Sequence, residues 1–220
     1  SNSFEALNEP IILDGPYSNS AFDIVCKNDK VYMIIGGKDL LNGKRFDKGG
    51  YILTYDYDKW SFIDPKEAQK KLNLPRNPRD YTSIAVTTDD SNDEIVYASS
   101  MGDGVIQYKN GTPVQSYNEK NAFKETAGGY GSGYCYIDGL AFDKNGNLWM
   151  TSSEVNHAVL VLDKAGAWHR LDIEQLRGVY TINDILITST NDKWIYVPRN
   201  TPKLVMIPNS ESLDEVSSYE

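Results

Sequence analysis

An all-β fold made of repeated antiparallel units is what this sequence predicts. A strand–turn–strand phrase recurs four times, each copy carries an aromatic residue just after its turn, and helical periodicity is scarce. The clearest copy is Gly139-Leu-Ala-Phe-Asp-Lys-Asn-Gly-Asn-Leu-Trp-Met-Thr-Ser152. Its turn, residues 143–147, supplies asparagines and a glycine that tolerate positive φ between two apolar runs. Repetition on this scale decides architecture before any single residue is considered.

The copies align on Tyr32, Tyr97, Trp149 and Trp194. Intervals between these anchors shorten along the chain, and the excess falls in polar loops. After each anchor comes a third apolar run, at 51–55, 105–108, 158–162 and 203–207. Three copies add a fourth run, at 60–63, 114–117 and 168–171; the last copy turns polar after Pro208. The units are about 22–65, 81–118, 137–172 and 182–210. Four short antiparallel strands per unit, repeated, predict β-propeller blades. The continuous apolar runs at 159–162 and 185–187 fit inner strands covered on both faces. Two short helices are expected in the connections. One is Pro65–Leu72, with proline at its first position; the other spans 172–177, capped by Asp172 and stopped by Gly178.

Four units favour an arc of a larger propeller over a closed ring completed by a strand near 11–13. An arc exposes apolar blade faces at both ends, so a homodimer or docking against further blades is expected. The formal charge of −9 comes without a basic cluster, which excludes nucleic acid and anionic membrane as expected partners. No apolar run approaches membrane-spanning length. Cys26 and Cys135, in different units, are expected as buried free thiols. The opening Ser1-Asn2-Ser3 reads as a tag scar, so it does not report the parent protein's address.

The phrase from Gly139 to Thr151, followed by Val161-Leu-Asp-Lys-Ala-Gly-Ala-Trp168, resembles blades of the two-component regulator propeller family. Those blades form the periplasmic sensor halves of hybrid histidine kinases in Bacteroides-type bacteria. Over about residues 80–200 the chain also resembles PorZ-like propellers of the type IX secretion system. The likeness runs through Tyr117-Asn-Glu-Lys-Asn121, a Gly-rich loop, the stretch from Ile137 to Trp149, and Trp168. These resemblances imply a non-catalytic envelope module without cofactor, in the periplasm or on the outer-membrane surface, that binds a glycan or an envelope protein. Asp138-Gly-Leu-Ala-Phe-Asp is also similar to a blade motif of the gluconolactonase family, in which an axial divalent metal activates water. Ile137 replaces that motif's proline, and the other ligands have no clear counterparts. A metal-dependent lactonase is therefore the alternative reading.

Few residues are candidates for chemistry. Asp138 and Asn183 precede first strands, which in propellers start near the central channel; a turn role is weighed above a ligand role there. Tyr130, Tyr134 and Tyr136 lie in or beside Gly128-Gly-Tyr-Gly-Ser-Gly-Tyr134, either a mobile connector or an aromatic contact loop for a sugar or protein. The 143–147 turn imitates a calcium loop, but its glycine stands fourth, not sixth, and a strand follows, so a hairpin is expected. With only His157 and His169, no histidine-based catalytic or metal set is expected. Trp60, Trp149, Trp168 and Trp194 are assigned to blade packing.

Overall fold

The computed structural model describes residues 15–123, 133–199, 201–210 and 212–213. Within them the chain forms four consecutive antiparallel blades. Blade 1 is β1 (Ala21–Lys27), β2 (Lys30–Ile35), β3 (Ile52–Asp56) and β4 (Lys59–Ile63), paired in that order. Blade 2 is β5 (Tyr81–Thr88), β6 (Glu94–Gly102), β7 (Gly104–Lys109) and β8 (Thr112–Tyr117). Blade 3 is β9 (Cys135–Phe142), β10 (Leu148–Ser152), β11 (Val159–Leu162) and β12 (Trp168–Leu171). Blade 4 has three strands among the described residues, β13 (Ile185–Ile187), β14 (Lys193–Val197) and β15 (Lys203–Ile207). The alternative strand near 11–13 and Tyr130 lie outside the described residues.

Side chains alternate across each blade, so each blade turns one row of residues to the blade before it and one to the blade after it. Tyr32, Ile34 and Ile52 pack with Ile84, Val96, Ala98 and Ile106, so blade 1 sits on blade 2. Tyr97 and Val105 pack with Leu140, Leu148, Met150 and Leu160, so blade 2 sits on blade 3. Trp149, Val159 and Val161 pack with Ile185, Ile195, Val205 and Ile207, so blade 3 sits on blade 4. Among the described residues no core cluster joins blade 4 back to blade 1. Over the described residues the blades form an open arc.

One pairing was not foreseen. The end of β6 outruns β5 and takes up the start of β9, pairing Met101 with Tyr136 and Gly102 with Cys135. This joins blades 2 and 3 into one eight-stranded sheet.

The connections follow local rules with one correction. Helix α1 spans Pro65–Leu72; Asp64 caps it by accepting from the Lys66 amide at 2.9 Å, and Asn73 closes it in the left-handed region. The second helix is a single 3-10 turn, Glu174–Leu176, and Asp172 does not cap it. The Asp172 carboxylate instead takes a two-pronged ion pair from Arg177, both contacts 2.6 Å. Cys135 is buried, but Cys26 is exposed, against expectation, because β1 lies at the open end of the arc. Trp194 also departs from its assigned packing role. Tyr32, Tyr97 and Trp149 each face the following blade and are buried, whereas Trp194 has no blade packed on it among the described residues and is 38% exposed.

Candidate functional site

The heads of the first strands converge on a cavity of about 140 Å³. A β-bulge recurs there. In β1 the register shifts between Ala21 and Asp23, in β5 between Tyr81 and Ser83, and in β9 opposite Met150 and Ser152. The bulges leave Phe22, Thr82 and Asp138 as extra residues, and these three line the cavity with Asn183 of blade 4. A bulge re-aims a side chain, so the repeat itself delivers one residue per blade to this point.

Asp138 is the centre of a buried network. One carboxylate oxygen pairs with the ammonium of Lys38, which is 1% exposed and comes from the loop between β2 and β3. The other oxygen accepts from the Ser153 hydroxyl at 2.6 Å, and that hydroxyl accepts from the Ile182 amide at 2.8 Å. Lys38 also donates to the Ile182 carbonyl at 3.4 Å and lies 5.0 Å from the centroid of the Tyr136 ring. One carboxylate thus ties the blade 1 loop, the end of β10 and the entry to blade 4 together. Burial pushes the Asp138 carboxyl up to about 6, against the pull of the Lys38 ammonium and the two side-chain hydrogen bonds.

Lys38 escaped the sequence reading, and its signal is the Gly36-Gly37 pair ahead of it. Both glycines have positive φ, +138° and +87°. A Cβ on Gly36 would stand 2.3 Å from the Tyr81 amide nitrogen, and one on Gly37 2.1 Å from the Phe22 ring. Only glycine lets this loop lie flat enough on blades 1 and 2 to carry Lys38 to the axis.

The residue after each bulge position joins blades. The second carboxylate oxygen of Asp23 accepts from the Ile84 amide and the Ser83 hydroxyl, both at 3.1 Å. Ser83 in turn accepts from the Leu140 amide at 3.2 Å. Gly139, next in the series, has no side chain and lies directly against the backbone of Asp184 and Ile185. Asp184 completes the series; its carboxylate accepts from its neighbour Ile185 at 2.8 Å. Burial raises the Asp184 carboxyl, and the nearby charge of Asp23 adds to the rise.

Of the expected site residues, the structure gathers Asp138, Asn183 and Tyr136 around this axis. Tyr134 and Tyr136 are not an exposed contact loop: both are buried and pack with Met101, their rings edge to face at 6.3 Å. Their burial follows from the β6–β9 pairing, which draws the loop's end into the sheet. The 143–147 turn is a hairpin. Asp143 accepts from the Asn145 and Asn147 amides at 2.9 and 2.8 Å, and from the Trp149 indole at 2.9 Å. Among the described residues no group of three or more His, Cys, Asp or Glu could hold a metal ion. With both Asp138 oxygens engaged, the chemistry this axis offers is that of a closed polar lock.

No family model and no curated protein matches the chain. Solved structures do. PorZ, an essential bacterial surface component of the type-IX secretion system of Porphyromonas gingivalis, superposes with a TM-score of 0.77 and 20% identity. That match covers 96% of this chain and 28% of PorZ. The fold is a propeller arc of the PorZ kind. The extracellular domain of a hybrid two-component system from B. thetaiotaomicron matches at a TM-score of 0.54 and 16% identity, over 90% of this chain and 22% of that one. A streptogramin B lyase matches at 0.52 and 15% identity, over 91% of this chain and 54% of the lyase. The chain therefore spans between about a fifth and a half of the length of these solved structures. No helix among the described residues is long and apolar enough to cross a membrane.

Proposed function

We propose that this chain is a non-catalytic binding module of the bacterial cell envelope, acting at the periplasm or outer-membrane surface through a glycan or an envelope protein partner. The observation that carries this reading is the state of Asp138. A lactonase-type centre needs an axial carboxylate free to hold a metal, and here an ammonium occupies that place. The likeness to PorZ and to the sensor's extracellular domain supports the envelope setting. A module of this kind works by presenting surface, so its ligands should register as stabilisation of the folded state.

The test combines two measurements on the 220-residue chain. Small lactones are offered with calcium or zinc, and melting is followed with a panel of envelope polysaccharides. The expected result is no lactone opening and a raised melting temperature with at least one polysaccharide. Metal-dependent turnover that disappears in Asp138→Ala would overturn the reading in favour of the lactonase.

A further inference from the structure

We infer, resting on the glycan form of the proposed binding role, that the groove between the turns of blades 2 and 3 is a subsite for an uncharged linear oligosaccharide. The groove lies between the β5–β6 turn of blade 2 and the β9–β10 and β11–β12 turns of blade 3, and encloses about 550 Å³. Ligand clefts run to about 300–1,000 Å³. Both walls are internal blades, since blade 1 packs on blade 2 and blade 4 on blade 3. Blades 2 and 3 also share one sheet, so the walls hold their spacing before a ligand arrives.

The floor of the groove is apolar and aromatic. Ile95, Tyr97, Leu148 and Leu162 are buried side chains of β6, β10 and β11 that line it. Phe142 joins them and meets the Tyr97 ring edge to face, 5.9 Å between centroids. The faces of a pyranose carry C–H groups that pack on such a surface, while its hydroxyls turn to polar neighbours. The groove supplies those neighbours without charge. Gln107 accepts from the Tyr117 hydroxyl at 2.9 Å through its amide oxygen, and its amide nitrogen has no partner among the described residues. The side chains of Thr87, Thr88 and Asn145 line the groove and have no hydrogen-bond partner among the described residues either.

The charges present cancel. Three lysines and three aspartates line the groove, which argues for a neutral occupant. Lys109 is held by Asp89 and Asp93 at 2.7 and 2.8 Å, and Lys144 donates to the Ser189 carbonyl. Lys164 of blade 3 faces Asp90 of blade 2 across the mouth at 3.6 Å. Both are exposed, so this bridge yields at little cost. A protein segment is less well matched. The lining strands β6, β7, β10 and β11 are each paired on both sides, so no strand edge is open to a peptide backbone.

The test is titration of the chain with cellohexaose, maltohexaose and laminarihexaose, with oligogalacturonate as the anionic control and an alternating Ser-Tyr peptide as the protein control, followed by methyl NMR. The expected result is saturable shifts at Ile95, Leu148 and Leu162 with at least one neutral sugar, and weaker shifts with both controls. Thr88→Trp alters an exposed side chain at the rim and should weaken binding at least about tenfold. Gln107→Glu keeps the acceptor for Tyr117 but loses the amide donor, and should cost about fivefold. Both variants should keep the wild-type melting curve. Tighter binding of oligogalacturonate or of the peptide overturns the inference. Sugar binding that survives both variants, or that shifts methyls elsewhere, overturns this subsite and leaves the proposed function standing. No shift with any sugar also overturns it, and the polysaccharide melting measurement then judges the proposed function separately.

Discussion

Asp138 and Lys38 are a hundred positions apart in the chain and share one hydrogen-bonding network at the axis. A buried ion pair is costly to break from one side, because the remaining charge is left in a medium that solvates it poorly. Lys38→Met should therefore destabilise the fold at pH 7 by about 3–5 kcal/mol, measured by urea unfolding. The same variant should lose less near pH 4, where the carboxyl protonates at little cost. It should also move the Asp138 titration midpoint above the wild-type value of about 6, because the ammonium is what pulls it down; carboxyl carbon NMR would follow it. In the wild type the sign runs the other way from an ordinary salt-bridged aspartate. A carboxyl raised in the fold contributes stability below its unfolded value of about 4 and loses it as pH rises through its folded value. Unfolding free energies at pH 4 to 7 should show this decline, and Asp138→Asn should flatten it. Asp138 was legible in the sequence because it heads a repeat. Lys38 was not, because a lysine in a loop carries no local mark of burial.

Turns and strand edges were the most readable elements. The phrase from Gly139 to Ser152 predicted a hairpin, and Asp143 shows why it is so sharply defined: its carboxylate organises the turn and satisfies the Trp149 indole at once. Asp143→Ala would leave that indole N–H buried without its acceptor, so a loss of about 2–3 kcal/mol in chemical denaturation is expected. Near-ultraviolet dichroism should weaken with it as Trp149 loosens. Lys193, lying 4.4 Å from the Trp149 ring centroid, reinforces the same point from blade 4. The elements misjudged from sequence were those whose outcome depends on a competing partner. Asp172 was read as a cap because it precedes a helix-like turn, but Arg177 at close range competed successfully for its carboxylate. Tyr134 and Tyr136 were read as loop residues because glycines precede them. A strand pairing between blades drew them into the core.

At the scale of the whole molecule, stability should not be uniform. Blades 2 and 3 share one sheet and are sandwiched on both sides, whereas blade 4 has three strands among the described residues and one open face. Hydrogen exchange should reflect this, with β13, β14 and β15 exchanging first and β6, β9 and β10 last. Uniform protection across the four blades would contradict the arc as the unit of cooperativity.

By itself the sequence determined that the chain is built of repeated antiparallel strand units, because period-two alternation and turn chemistry act within a few residues of chain. It also placed Asp138 at the head of a first strand. Only the tertiary structure decided what that carboxylate faces, which anchor aromatic is left uncovered and which strands of different blades join. Those outcomes depend on how far the blades turn relative to one another and on where a glycine-paired loop comes to rest. Burial and charge pairing between residues so far apart leave no periodic trace along the chain.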